Sequence, residues 1–119
     1  MKSSVHIFLY VCCIVIVVAI TVLSLLPPKS DPEIENDKLC HFMAYFALTF
    51  NLMLLSKKKQ QDYLFLIFGF LYGLLMEFLQ SFVPGRDSSV HDMLANALGV
   101  VAGYITVLGV RVIRAKYYS

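Results

Sequence analysis

Residues 63–83 read YLFLIFGFLYGLLMEFLQSFV. A helix of about 20 apolar residues crosses a hydrocarbon core roughly 30 Å thick. Tyr63 to Val83 has that length, and Glu77 is its single charge. Apolar and polar residues do not alternate with period 2, so the stretch does not read as a barrel strand. A helix satisfies its own backbone hydrogen bonds in lipid, and that is the reading adopted. Three further stretches outward from it have similar character. Val5 to Leu26 carries His6 near its start, Leu39 to Leu55 carries His41, Tyr45 and Asn51, and Met93 to Val110 carries Asn96. The expected architecture is an all-α membrane protein forming one domain over residues 1–119. Its four transmembrane helices, about 5–26, 39–55, 63–83 and 93–110, would pack as a small bundle.

Composition agrees. Of 119 residues, 59% are hydrophobic and 15% charged, with a net charge of +2. Mean hydropathy is +0.73. Soluble domains average about 25% charged residues. A chain this apolar does not stay disordered in water. Its scattered basic residues give no nucleic-acid footprint. Three dispersed cysteines make neither a disulfide framework nor a zinc finger. The first stretch reads as an uncleaved span, because its apolar run exceeds that of a signal peptide and no A-x-A site follows it. Leu9-Tyr10-Val11, before Cys12, also lacks the small residue of a lipoprotein signal.

Orientation follows from the basic residues. Lys2, Lys57, Lys58, Lys59, Arg111, Arg114 and Lys116 fall on one side of a four-span arrangement, against Lys29, Lys38 and Arg86 on the other. This bias predicts both ends of the chain and the central loop on the cytoplasmic side, N-in/C-in. Pro27-Pro28 stops the first helix. Asn36 or Asp37 is expected to cap the second and Ser88 or Ser89 the fourth. Pro84-Gly85 ends the third.

Polar groups within spans are costly, so their positions inform. At 100° per residue, Asp37, Lys38, His41 and Tyr45 share one arc of the second helix. Gly69, Gly73, Glu77 and Gln80 share one arc of the third, and Asp92, Asn96, Gly99 and Gly103 one of the fourth. The two Gly-x-x-x-Gly pairs permit close helix approach, within one chain or between two copies. Alternating helix directions put His41, Glu77 and Asn96 in one outer layer, with the Pro84–Asp87 loop beside it. Glu77 either fixes packing by pairing with Arg86 or Lys38, or contacts a ligand. Asn96 is expected to hydrogen-bond across helices. Tyr45 suits interfacial anchoring or polar contact. Arg86 suits a phosphate or carboxylate, with Asp87 or Glu77 as its internal alternative. A metal centre from His41, His91, Glu77 and Asp92 has no ligand-spacing motif behind it, so neither metal nor cofactor is expected.

These residues resemble a known family. Asp37-Lys38-Leu39-Cys40-His41-Phe42-Met43-Ala44-Tyr45 resembles the D-K-x-x-H-x-x-x-Y segment of the VanZ-like family. Glu77-Phe78-Leu79-Gln80 followed by Pro84-Gly85-Arg86 resembles its E-x-x-Q … P-x-R segment. Asp92-Met93-Leu94-Ala95-Asn96, with Gly99 and Gly103, resembles its D-x-x-x-N-x-x-G-x-x-x-G segment. Three ordered motifs over residues 37–103 make the likeness specific. The resemblance implies a multi-pass protein of the bacterial cytoplasmic membrane, linked to cell-wall precursors or glycopeptides. The family's namesake is associated with teicoplanin resistance, but the resemblance supplies no reaction.

The favoured function is a non-enzymatic binding or modulating protein. Its ligand would be a membrane lipid, a lipid-linked wall precursor or a glycopeptide antibiotic. Asp37, Lys38, His41, Tyr45, Glu77, Gln80, Arg86, Asp92 and Asn96 form the candidate cluster. The alternative is an intramembrane enzyme with His41 or Glu77 as acid or base, Asp92 orienting His41 and Arg86 stabilising negative charge. No nucleophile–base motif accompanies them, so that reading stands second.

Overall fold

The structure is a computed structural model. It describes the backbone of residues 3–25, 34–84 and 90–118, with their side chains except at 34–38 and 118. Four helices make it up: α1 Ser3–Leu25, α2 Ile34–Leu55, α3 Lys59–Gln80 and α4 Val90–Tyr118. α1, α3 and α4 are long and apolar enough to cross a membrane. The apolar part of α2, Leu39–Leu55, is shorter.

Burial is inverted relative to a water-soluble bundle. Ile7, Phe8, Leu23, Leu64, Leu71, Phe82, Leu98, Ile105 and Val112 face outward with more than half their surface exposed. Thr49, Asn51, Asp62, Glu77, Gln80, Asp92 and Asn96 are buried. Water does not favour that distribution, since monomeric soluble proteins rarely expose large contiguous apolar patches. Lipid does, because polar groups are then cheapest inside the bundle. The chain is a membrane protein.

The helix ends differ from the expected ones for local reasons. α2 begins at Ile34, so Asn36 and Asp37 lie inside its first turns and do not cap it. Nothing after Pro32 interrupts a helix there. α3 starts at Lys59 and stops at Gln80, short of Val83. Pro84 disfavours helical backbone at the residue before it. The chain leaves through a turn in which Phe82 N–H donates to Leu79 O at 3.1 Å and Val83 N–H to Gln80 O at 3.0 Å. α4 runs past Val110 to Tyr118, with Lys116 in its last turn, where positive charge suits the helix dipole. Ser88, Ser89 and the loop around Arg86 lie outside the described residues.

α2 and α3 each touch the other three helices, whereas α1 and α4 do not meet among the described residues. α2 and α4 make the most extensive contact. Gly99 and Gly103 permit it. A Cβ on Gly103 would sit 2.9 Å from Thr49 Cβ and 3.0 Å from Phe46 O. One on Gly99 would collide with the Phe42 carbonyl oxygen and stand 3.0 Å from Phe46 N. Two helix backbones thus lie against each other, the geometry that small residues allow in lipid.

Polar links complete the packing, because apolar burial does not drive helices together in lipid. Asn51 Nδ2 donates to Leu9 O at 3.0 Å and joins α2 to α1. The Tyr72 hydroxyl donates to Val17 O at 3.0 Å and also contacts Thr21 Oγ1, joining α3 to α1. At the opposite end from His41, Arg111 grips Asp62 with two bonds of 2.7 and 3.1 Å. It also donates to Met53 O at 3.1 Å. That one guanidinium ties α4 to α3 and to the C-terminal turn of α2.

Candidate functional site: a buried polar layer beside a groove

His41 lies in the second turn of α2, Glu77 in the last turn of α3, and Asp92 and Asn96 in the first turns of α4. Up-down-up connectivity brings these positions to one end of the bundle. His41 Nδ1 stands 2.8 Å from Asn96 Oδ1. An amide oxygen only accepts, so this bond places the proton on Nδ1. Glu77 Oε1 is 3.7 Å from the same nitrogen. One ligand atom each from His41, Glu77 and Asp92 lie within 4.8 Å of one another. Glu77 is fully buried, whereas the His41 side chain keeps 12% of its surface exposed.

Tyr45 lies one turn deeper on the same face of α2 and is buried. Gly73 lies against it. A Cβ there would be 3.4 Å from both Tyr45 Cε1 and Asn96 Cβ, in ordinary contact. Tyr45 Oη, Thr49 Oγ1 and Asn96 Nδ2 are buried and have no hydrogen-bond partner among the described residues. Buried polar atoms are nearly always paired, so unpaired ones beside a candidate site call for an explanation.

A cavity of about 460 Å³ opens beside this layer between α1 and α2. Ile16, Ala19, Ile20, Leu23, Ala44 and Ala47 form its apolar wall. Ser24, Cys40, His41, Tyr45 and Gln80 supply its polar edge. Gln80 Nε2 donates to Ser24 O at 3.1 Å, which ties α3 to the end of α1.

Of the sequence candidates, His41, Glu77, Asp92 and Asn96 come together directly, with Tyr45 against them. Gln80 shares the layer but turns toward α1. The side chains of Asp37, Lys38 and Arg86 lie outside the described residues, and with them the expected pairing of Glu77 with Lys38 or Arg86. His91 is exposed and lies outside the His41–Glu77–Asp92 group. Gly69 and Gly73 pack against Val100, Asn96, Tyr45 and Thr49, as helix-packing positions should. The α1 wall of the groove went unread in the sequence, because α1 carries no polar stripe to mark its inward face. Thr49 and Asp62 are buried, and Arg111 half-buried against Asp62, without a polar stripe in the sequence to mark them. Asp62 gave a hint as the lone acid among the basic residues at its end.

The family model described as VanZ/LLP1 matches residues 7–113. The chain belongs to the VanZ/LLP1 family. Its polar layer and both glycine pairs therefore lie within the family's matched region. The VanZ/LLP1 chain is also similar to an uncharacterized protein of Schizosaccharomyces pombe, 39% identical over 67 residues. That match covers 54% of this chain and 41% of the yeast protein, so this chain corresponds to less than half of that relative. No solved structure matches the chain.

Proposed function

We propose that this VanZ/LLP1 protein binds a membrane amphiphile, a phospholipid or a lipid-linked phosphate, in the groove between α1 and α2. The polar head lies against His41, Gln80 and the end of α1, and the hydrocarbon lies along Ile16, Ile20, Ala44 and Ala47. All four helices span, and both ends of the chain are cytoplasmic. The seven-to-three bias of basic residues supports this orientation, which puts the His41 end on the outer face. A bacterial cytoplasmic membrane is the proposed setting.

The observation that carries the reading is the groove itself. It joins an apolar wall to a few convergent polar groups, the usual build of a small-molecule site, and its volume lies in the usual range of about 300–1,000 Å³. Its polar edge is at the end of the bundle where a headgroup would sit. A lipid-linked wall precursor or a glycopeptide with a lipid tail has the same two-part chemistry. The yeast relative favours a ligand class common to all membranes.

Ala44→Phe tests the proposal, because the added ring fills the groove from α2. Purified protein in detergent is titrated with phosphatidylglycerol and bound lipid is counted by native mass spectrometry. The variant should lose at least about tenfold in affinity at unchanged thermal stability, while Ala115→Phe, on the exposed end of α4, binds like the wild type. Equal binding by Ala44→Phe would sink the groove as the site. Lipid released from the wild type should be chemically unaltered; an altered headgroup would instead favour catalysis by His41 and Glu77.

A further inference from the structure

We propose that His41, Glu77 and Asp92 form a binding site for one divalent transition-metal cation. Each ligand comes from a different helix, and one donor atom from each already lies within 4.8 Å of the others. Donors at about 2.0–2.2 Å from a common ion stand roughly 3.3–3.6 Å apart in a tetrahedral site. His41 would ligate through Nε2, because its Nδ1 carries the proton held by Asn96 Oδ1. Closing the 4.8 Å spread to that spacing needs a shift of about 1.2 Å, shared among three side chains.

The donor set is one imidazole and two carboxylates. Imidazole suits zinc and other first-row transition ions, carboxylates also suit manganese, and no thiolate is in the group. Glu77 is fully buried and Asp92 is 5% exposed. A dication placed between them would meet both carboxylates at once.

A second observation points to a ligand independently. Asn96 is 4% exposed and Tyr45 2% exposed. Asn96 Nδ2 and Tyr45 Oη have no hydrogen-bond partner among the described residues. The Asn96 amide is held in the group by its Oδ1 bond to His41, and the Tyr45 hydroxyl is within electrostatic reach of Glu77. Both unmet groups can donate. A three-ligand site keeps an open position for an oxygen, from water or from a bound molecule, and such an oxygen would meet these donors. The Asn96–His41 bond is also the kind of outer contact that orients a ligating imidazole. His41, the least buried of the three, lines the groove and gives the ion its way in.

The site stands whether or not the groove binds lipid, and its test needs none. The full-length protein, stripped with a chelator, is titrated calorimetrically with Zn²⁺ and separately with Mn²⁺. We expect one ion per chain. Affinity should fall at least about tenfold in Glu77→Gln and in Asp92→Asn, which keep side-chain shape, and also in His41→Ala. His91→Ala, adjacent in sequence but outside the group, should bind as the wild type does. Visible absorption of the Co²⁺-loaded wild type reads nitrogen and oxygen ligation without any variant. No stoichiometric ion in folded wild type, or affinities unchanged across the three ligand variants, would overturn the proposal. Loss in His91→Ala alone would overturn it too, by marking a surface histidine as the binder.

Discussion

Gly99→Ala destabilises the protein by about 2–3 kcal/mol, the cost of forcing extra volume into a filled contact. The added methyl meets the Phe42 carbonyl and Phe46 N of α2. These are backbone atoms, so no side chain can swing aside and the two helices must separate. Separation loosens the most extensive contact of the bundle, where van der Waals packing holds helices together in lipid. Gly103→Ala follows closely, at 2.9 Å from Thr49 Cβ and 3.0 Å from Phe46 O. Gly73→Ala should be nearly neutral, because its nearest neighbours are side-chain atoms at 3.4 Å. At Gly109 nothing lies within 4 Å, so alanine there keeps only its helix-propensity gain of up to about 1 kcal/mol. Equilibrium unfolding in mixed micelles gives all four values. A Gly99→Ala variant as stable as Gly109→Ala would contradict the close α2–α4 approach.

His41→Ala weakens phospholipid binding about 10- to 100-fold. His41 belongs both to the buried layer and to the groove. A hydrogen bond to a charged headgroup contributes roughly 1.5–3 kcal/mol, and each 1.4 kcal/mol is a factor of ten in Kd. The same change removes the partner of Asn96 Oδ1, so some stability is lost as well. Affinity is therefore compared at a temperature where both proteins are fully folded. Lipid binding unaffected by His41→Ala would move the headgroup away from this end of the groove.

Much of this architecture can be read from the chain. Four apolar stretches announce the helices, since only a helix or a closed barrel satisfies its backbone in lipid. Glu77, Asn96 and His41 announce the layer, because an ionisable or amide side chain in a span must face inward and alternating directions set its depth. Gly99 and Gly103 announce a close approach, though not that α2 is the partner. Other features depend on pairings that no local spacing encodes. The Asp62–Arg111 link joins residues 49 apart, and each reads alone as a solvated loop charge. The His41–Glu77–Asp92 group draws one residue from each of three helices, so no ligand-spacing pattern exists to find. Ser24, Ala19 and Ile20 line the groove from a helix that carries no polar stripe. The turn at Ser81–Pro84 was legible only to within a few residues, because proline restricts its neighbour without naming the last helical residue.

Cys40 provides the most direct measurement of the central claim, that the groove beside His41 holds a membrane amphiphile. It is exposed and lines the groove, whereas Cys12 and Cys13 are half-buried in α1. In a Cys12→Ser, Cys13→Ser background, the rate of Cys40 alkylation by a charged maleimide is followed as phosphatidylglycerol is added to detergent-purified protein. The rate should fall at least about tenfold and saturate at the lipid concentration that fills one site. A rate that stays constant while lipid is bound would place the lipid elsewhere on the protein and rule out the groove as its site.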